Sequence, residues 1–158
     1  SVDFHHFLGD LKPTQVREGL PGVTGFPGAY RWPHRLNAAV HSGRALRVRG
    51  REVTRGIGVH SDSLLVYDLP KGTLELSGAC ALDDESQGLG SAHFIIRGDG
   101  KVLFESGLMT GRDAPRHFRL DLKGFKQLEL EVVTDPGSTA KDYTLDRCSW
   151  IGLILVGS

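Results

Sequence analysis

The 158 residues carry 19 Lys plus Arg and 19 Asp plus Glu, so the formal net charge is zero. That balance argues against nucleic acid and anionic membrane as general partners, since both need a basic excess, and no apolar run reaches the roughly 20 residues of a membrane-spanning helix. The length suits one domain, residues 1–158, whose core needs neither a disulfide scaffold nor a metal; the two cysteines, Cys80 and Cys148, are expected as buried, reduced thiols.

Glycine is abundant, at 21 residues, and short apolar–polar alternations recur between Gly-rich turns, which favours an all-β domain. The start at Ser1, with neither an initiator Met nor a leader, is expected of a domain excised from a larger protein. In chain order, residues 1–11 place Phe4, Phe7 and Leu8 on a first edge strand. His5 and His6, as strand neighbours, point to opposite faces and cannot share one ion. Residues 12–37 dissolve into Pro and Gly punctuation and are expected as a long loop, of the kind that often carries function, with Tyr30, Arg31, Trp32 and His34 clustered in it. A short helical turn is expected near residues 35–40.

Leu46 and Val48 alternate with Arg47 and Arg49 on a half-buried strand. Residues 56–63, Gly-Ile-Gly-Val-His-Ser-Asp-Ser, are expected as a rigid glycine-bracketed turn, with Gly56, Gly58, His60 and Ser61 fixing its shape before the strand Leu64 to Leu69. Leu74, Leu76, Gly78, Cys80 and Leu82 share one face of the next strand, followed by Ala92, Phe94 and Ile96. Gly98-Asp99-Gly100 then turns a hairpin, and Val102 and Phe104 return on the same face. Phe118 to Leu122 and Leu128 to Val132 complete the alternation, the pattern of two packed antiparallel sheets. The final strand is apolar on both faces, Trp150, Ile154 and Val156 against Ile151, Leu153 and Leu155, and is expected to be central or covered.

Three blocks carry a family resemblance. They are the glycine-bracketed segment with its Tyr67-Asp68-Leu69-Pro70 strand end, the hairpin from Gly90 to Gly107 with Asp113-Ala114-Pro115, and Leu128 to Gly137 followed by Asp146 and Trp150. Their order and spacing resemble the NPCBM/NEW2 family, bacterial carbohydrate-binding modules related to family 51. The resemblance implies a jelly-roll-like antiparallel β-sandwich, galactose-binding-domain-like in form, attached to a neighbouring domain of a larger extracellular or periplasmic protein, often a glycoside hydrolase. Some relatives bind galactose-type sugars, and related modules frequently hold a structural calcium.

For chemistry, Asp83-Asp84-Glu85 is either a set of calcium ligands, with Asp83 and Asp84 foremost, or a solvated acidic turn. Adjacent residues in one loop do not face each other across a cleft as glycosidase carboxylates must. A second acidic group, Asp135, Asp142 and Asp146 in another loop region, is an equal candidate for either role. Ser61, Ser63 and Ser106 lie in no nucleophile elbow, so catalysis is not expected. Ring recognition needs aromatic faces and forked donors, and in loops those are Tyr30, Arg31, Trp32, Arg112 and Tyr143; Trp150, in an apolar strand, suits the core. The first reading is a non-catalytic carbohydrate-binding module for a galactoside or polysaccharide. The alternative is a protein-interaction or structural module, favoured by the doubly apolar last strand and by the absence of Trp from residues 14–25.

Overall fold

The alternating segments form thirteen strands in the computed structural model, which describes residues 4–18, 33–134 and 146–158. In chain order they are β1 (Phe4–Phe7), β2 (Gln15–Glu18), β3 (Arg35–Leu36), β4 (Leu46–Val48), β5 (Arg51–Val53), β6 (Gly56–His60), β7 (Ser63–Asp68), β8 (Thr73–Leu82), β9 (Ser91–Gly98), β10 (Lys101–Thr110), β11 (Arg116–Asp121), β12 (Gln127–Val133) and β13 (Arg147–Gly157). One sheet runs β11-β8-β13-β6-β3, with β1 also on β13; the other runs β10-β9-β12-β7-β2, and β4 and β5 form a separate hairpin. All pairings are antiparallel, giving a jelly-roll-like β-sandwich.

The inward faces meet in one core. Leu76, Phe94, Leu130 and Trp150 are fully buried, and Phe104 and Leu120 pack against them from the margin. The Phe94 and Trp150 rings lie edge to face with centroids 5.2 Å apart, an arrangement that suits the aromatic quadrupole. Cys80 and Cys148 are both buried in this core as free thiols.

β13 is central, as its composition requires, but its faces differ from strict alternation. Ile151 pairs with Ala79 and Ile154 with Ser77, so β13 carries one extra residue there, and Gly152 takes φ +57°. A bulge of one residue reverses the parity of everything beyond it. Leu153 and Leu155 therefore join Trp150 in the core, while Ile151, Ile154 and Val156 are half-buried on the outer face. The same bulge lets one flank of β13 pair first with β6 and then with β1. A shift between Val102 and Phe104 likewise turns Val102 outward, where it is 45% exposed.

Residues 56–60 are a strand, β6, rather than a turn, and all five are buried. The two glycines answer close approach of other backbone. A Cβ on Gly58 would lie 2.2 Å from the Ala38 carbonyl oxygen, and one on Gly56 would lie 2.5 Å from that of Trp150. Within residues 12–37, expected as loop, β2 and β3 extend the two sheets as edge strands. No helix forms at residues 35–40; among the described residues the 3-10 turns are Leu8–Asp10 and Asp84–Ser86.

Candidate functional site

Antiparallel order gathers one set of connections at one end of the sandwich. There β6 passes into β7 at residues 61–62, β8 into β9 at 83–90, β10 into β11 at 111–115, and β13 begins at Arg147. The ends of β2 and β12, from which residues 19–32 and 135–145 depart, lie at the same end, because Glu18 pairs with Ser63 and Val132 with Ser63 from either side. The β9–β10 hairpin and the β7–β8 and β11–β12 connections occupy the opposite end.

A layer of buried polar side chains fixes this loop end. Ser61 Oγ donates to Asp146 Oδ2 at 2.7 Å and the Ser91 amide donates to Asp146 Oδ1 at 2.8 Å, so one fully buried carboxylate joins three segments. His60, 6% exposed, donates from Nδ1 to its neighbour's carbonyl, Ser61 O, at 2.7 Å. Burial lowers the His60 pKa below the usual imidazole value, with the Arg147 and His41 charges acting in the same sense and the Ser61 bond and Asp62 opposing them. The neutral, Nδ1-protonated ring is thus the form that suits the site.

The acidic loop is a clasp for backbone. Asp83 accepts from the Glu85 and Arg47 amides, Asp84 from the Arg49 and Gly50 amides at 2.7 and 2.8 Å, and Glu85 from the His41 and Ser42 amides. Six N–H donors, five from segment 41–50 and one from the loop itself, are satisfied by three carboxylates. Asp83 is 3% exposed, and burial pushes its carboxyl above the ordinary carboxylate range despite its two amide donors. This donor set does not fit calcium, which needs six to eight convergent oxygens: the Asp83 and Asp84 oxygens each face an N–H, and among the described residues no group of three or more His, Cys, Asp or Glu converges on a metal position. Beside the clasp lies an open depression of 560 Å³ lined by His41, Ser42, Arg44, Arg47, Asp84 and Glu85 among others.

Of the residues chosen for ring recognition, Arg112 is exposed in the 111–115 connection, where a Cβ on Gly88 would lie 3.7 Å from its Cγ. Tyr30, Arg31, Trp32 and Tyr143 lie outside the described residues, as do Asp135 and Asp142. Glu18 and His34 form a pair that the sequence did not announce. Glu18 accepts from the His34 amide at 2.5 Å and from His34 Nδ1 at 2.6 Å, and this ties the end of β2 to the start of β3. His93 and Trp150 are packing residues, each with a buried ring nitrogen that has no hydrogen-bond partner.

Comparison with known proteins gives this geometry a context. The chain is 28% identical over 114 residues to alpha-1,3-galactosidase B of Akkermansia muciniphila, a match covering 71% of this chain and 14% of that relative. The chain thus spans about a seventh of that relative's length. Among solved structures, the CBM51 of Clostridium perfringens GH95 in complex with methyl-galactose superposes with a TM-score of 0.78 at 24% identity, over 96% of this chain and 99% of that one. CBM51-2 of Clostridium perfringens ZmpB, in a structure with GlcNAc and INT domains, gives 0.80 at 20% identity over 99% of this chain and 32% of that one. The model of the NPCBM/NEW2 domain matches residues 5–155, almost the whole chain, and the protein belongs to that family.

Proposed function

We propose that the protein is a non-catalytic carbohydrate-binding module that holds an attached domain at a galactose-containing glycan outside the cell or in the periplasm. The observation that carries this reading is the family match over residues 5–155. The similarity to a module solved in complex with methyl-galactose supports the sugar class, and the small share of the galactosidase relative that is matched supports attachment to a larger chain. A binding role rather than catalysis accords with the loop-end carboxylates of Asp83, Asp84, Glu85 and Asp146, which are bonded to backbone amides and a serine hydroxyl. Tyr30, Trp32 and Tyr143 would supply ring-stacking faces, and Arg31 and Arg112 forked donors to hydroxyl pairs.

The test is a glycan array with the isolated domain, followed by calorimetric titration of methyl galactoside into wild type and Trp32→Ala. Loss of binding with an unchanged melting temperature is expected for Trp32→Ala. Normal binding by Trp32→Ala together with a folded, non-binding His60→Ala would move the site to the β6–β7 connection. At the Asp83–Asp84 clasp no calcium dependence is expected, because those carboxylates hold backbone N–H groups; a chelator that changes the titration would point to the second acidic group. The half-buried outer row Ile151, Ile154 and Val156 favours a second reading, a protein-interaction module; silence across the array would select it.

A further inference from the structure

We propose that the β4–β5 hairpin and the loop preceding it form a second subsite, selective for oxyanion substituents, sulfate or carboxylate, carried on a polysaccharide. Between Arg35 and Arg55 lie six of the chain's 19 cationic residues and one acid, Glu52. Two of the six are engaged: Arg35 Nε donates to the Val40 carbonyl, and Arg55 pairs with Asp10 while its guanidinium lies 4.0 Å from the Phe7 ring centroid. Arg44, Arg47, Arg49 and Arg51 are exposed, and among the described residues none of their guanidinium groups takes part in an ion pair or hydrogen bond.

The acids below them act on the backbone instead. Asp83, Asp84 and Glu85 accept from the amides of residues 41, 42, 47, 49 and 50, so the segment that bears the free arginines is fixed by its main chain while the side-chain heads remain open. At long range these carboxylates and Glu52 offset the four guanidinium charges, so the surface does not steer polyanions indiscriminately. At contact distance a ligand meets planar forked donors, which match the paired oxygens of sulfate and carboxylate. The open 560 Å³ depression here is lined by Arg44 and Arg47 and also by Asp83, Asp84 and Glu85, whose carboxylates accept from backbone N–H groups and leave the two guanidinium groups as its unpaired charged donors. Residues 33–55 contain no Phe, Tyr or Trp, so the surface offers no stacking platform to a base or to a sugar ring, and what it offers a ligand is charge-assisted contact with a substituent. The proposal rests on the glycan-binding reading and adds to it the chemistry of a second contact.

Dextran, carboxymethyl dextran and dextran sulfate share one backbone and differ in substituent, so affinity electrophoresis of the intact domain on each tests the idea. Wild type should be retarded by one or both charged forms and not by dextran; a sulfate-only or carboxylate-only response identifies which oxyanion is selected. The triple variant Arg44→Ala, Arg47→Ala, Arg49→Ala should bind about tenfold more weakly or worse, as expected for losing charge-assisted bonds. A charge-matched control, Lys71→Ala, Lys101→Ala, Lys123→Ala, at the opposite end of the sandwich, should stay within about twofold, because charges beyond a Debye length are screened. Equal losses in the two variants, no retardation of wild type by either charged form, or equally tight arginine-dependent binding of DNA would each overturn the proposal. Methyl galactoside titrated into the same variants keeps the readings apart: absent galactoside binding with intact oxyanion binding fails the first reading alone.

Discussion

Ser61 Oγ donates a 2.7 Å hydrogen bond to Asp146 Oδ2 across 85 positions of sequence, and both residues are fully buried. The other oxygen of the same carboxylate holds the Ser91 amide, so the loop end is pinned from its centre rather than from its rim. Asp146→Asn keeps the shape but places an NH₂ where one of two donors points. A loss of about 1.5 to 3 kcal/mol is expected, the range for hydrogen bonds to charged groups, read as a lower urea midpoint with an unchanged m-value. Ser61→Ala should cost less, and the double variant should be less than additive, because the two residues share one contact. Additive losses would show that the pair is not coupled.

The general form of this molecule was legible from alternation, and its errors fall where alternation is interrupted. The core positions Leu76, Phe94, Leu130 and Trp150 follow directly from period two. Leu153 and Leu155 were placed on the wrong face because the extra residue at the β13 bulge has no signature beyond Gly152, one of 21 glycines. Gly56 and Gly58 mark a backbone constraint, but local sequence cannot distinguish a bend from the crossing of residue 38 over Gly58, which is a tertiary contact. The acidic run Asp83-Asp84-Glu85 presented the right atoms for a cation; its real partners, the amides of residues 41–50, lie more than thirty positions away.

That glycine argument yields a paired test. Gly58→Ala would push a methyl to 2.2 Å from the Ala38 carbonyl oxygen, and neither backbone can yield without breaking β6 from β3 or β13. Gly100 has φ +81° in the β9–β10 hairpin and nothing within 4 Å of its Cβ position, so Gly100→Ala meets only the intrinsic left-handed penalty of about 1 to 2 kcal/mol. Thermal melts should show a folded Gly100→Ala and an unfolded or severely destabilised Gly58→Ala. Comparable melting temperatures would contradict the crossing of residues 38–40 over β6.

His60 predicts the acid limb of stability. Burial lowers its pKa in the folded state relative to about 6.5 in the unfolded chain, so the unfolded state binds a proton that the folded state resists. The contribution is complete above the unfolded pKa and is lost as pH falls from there through the folded pKa. Asp83 works in the opposite sense: burial raises its folded pKa, so protonation there favours the fold as pH falls from the folded pKa toward the usual carboxylate value. Melting temperature should therefore decline from about pH 7 downward, beginning well above the carboxylate range. His60→Asn, whose amide can take over the donor role of Nδ1 to Ser61 O, should flatten that decline. A variant profile parallel to wild type would assign the slope to other groups.

Cys80 and Cys148 sit on neighbouring strands, and both point into the core. Cys80 is opposite Trp150 and Cys148 is opposite Leu82, so the two thiols are diagonal rather than directly paired. Diagonal Cβ atoms on adjacent strands are about 7 Å apart, whereas a disulfide needs about 3.5 to 4.5 Å. Each sulfur also has its own neighbour, Met109 Sδ at 4.0 Å for Cys80 and the Asp146 carbonyl at 3.6 Å for Cys148. Burial pushes the Cys80 thiol up to about 12 and that of Cys148 well above its ordinary value, so almost no thiolate is present at neutral pH in the folded protein. Iodoacetamide should therefore add no groups to the native protein and two after denaturation without reductant, counted by mass spectrometry. An unlabelled denatured chain would show that the strands had shifted to bring the sulfurs together, and rapid native labelling would show that the core between β8 and β13 opens.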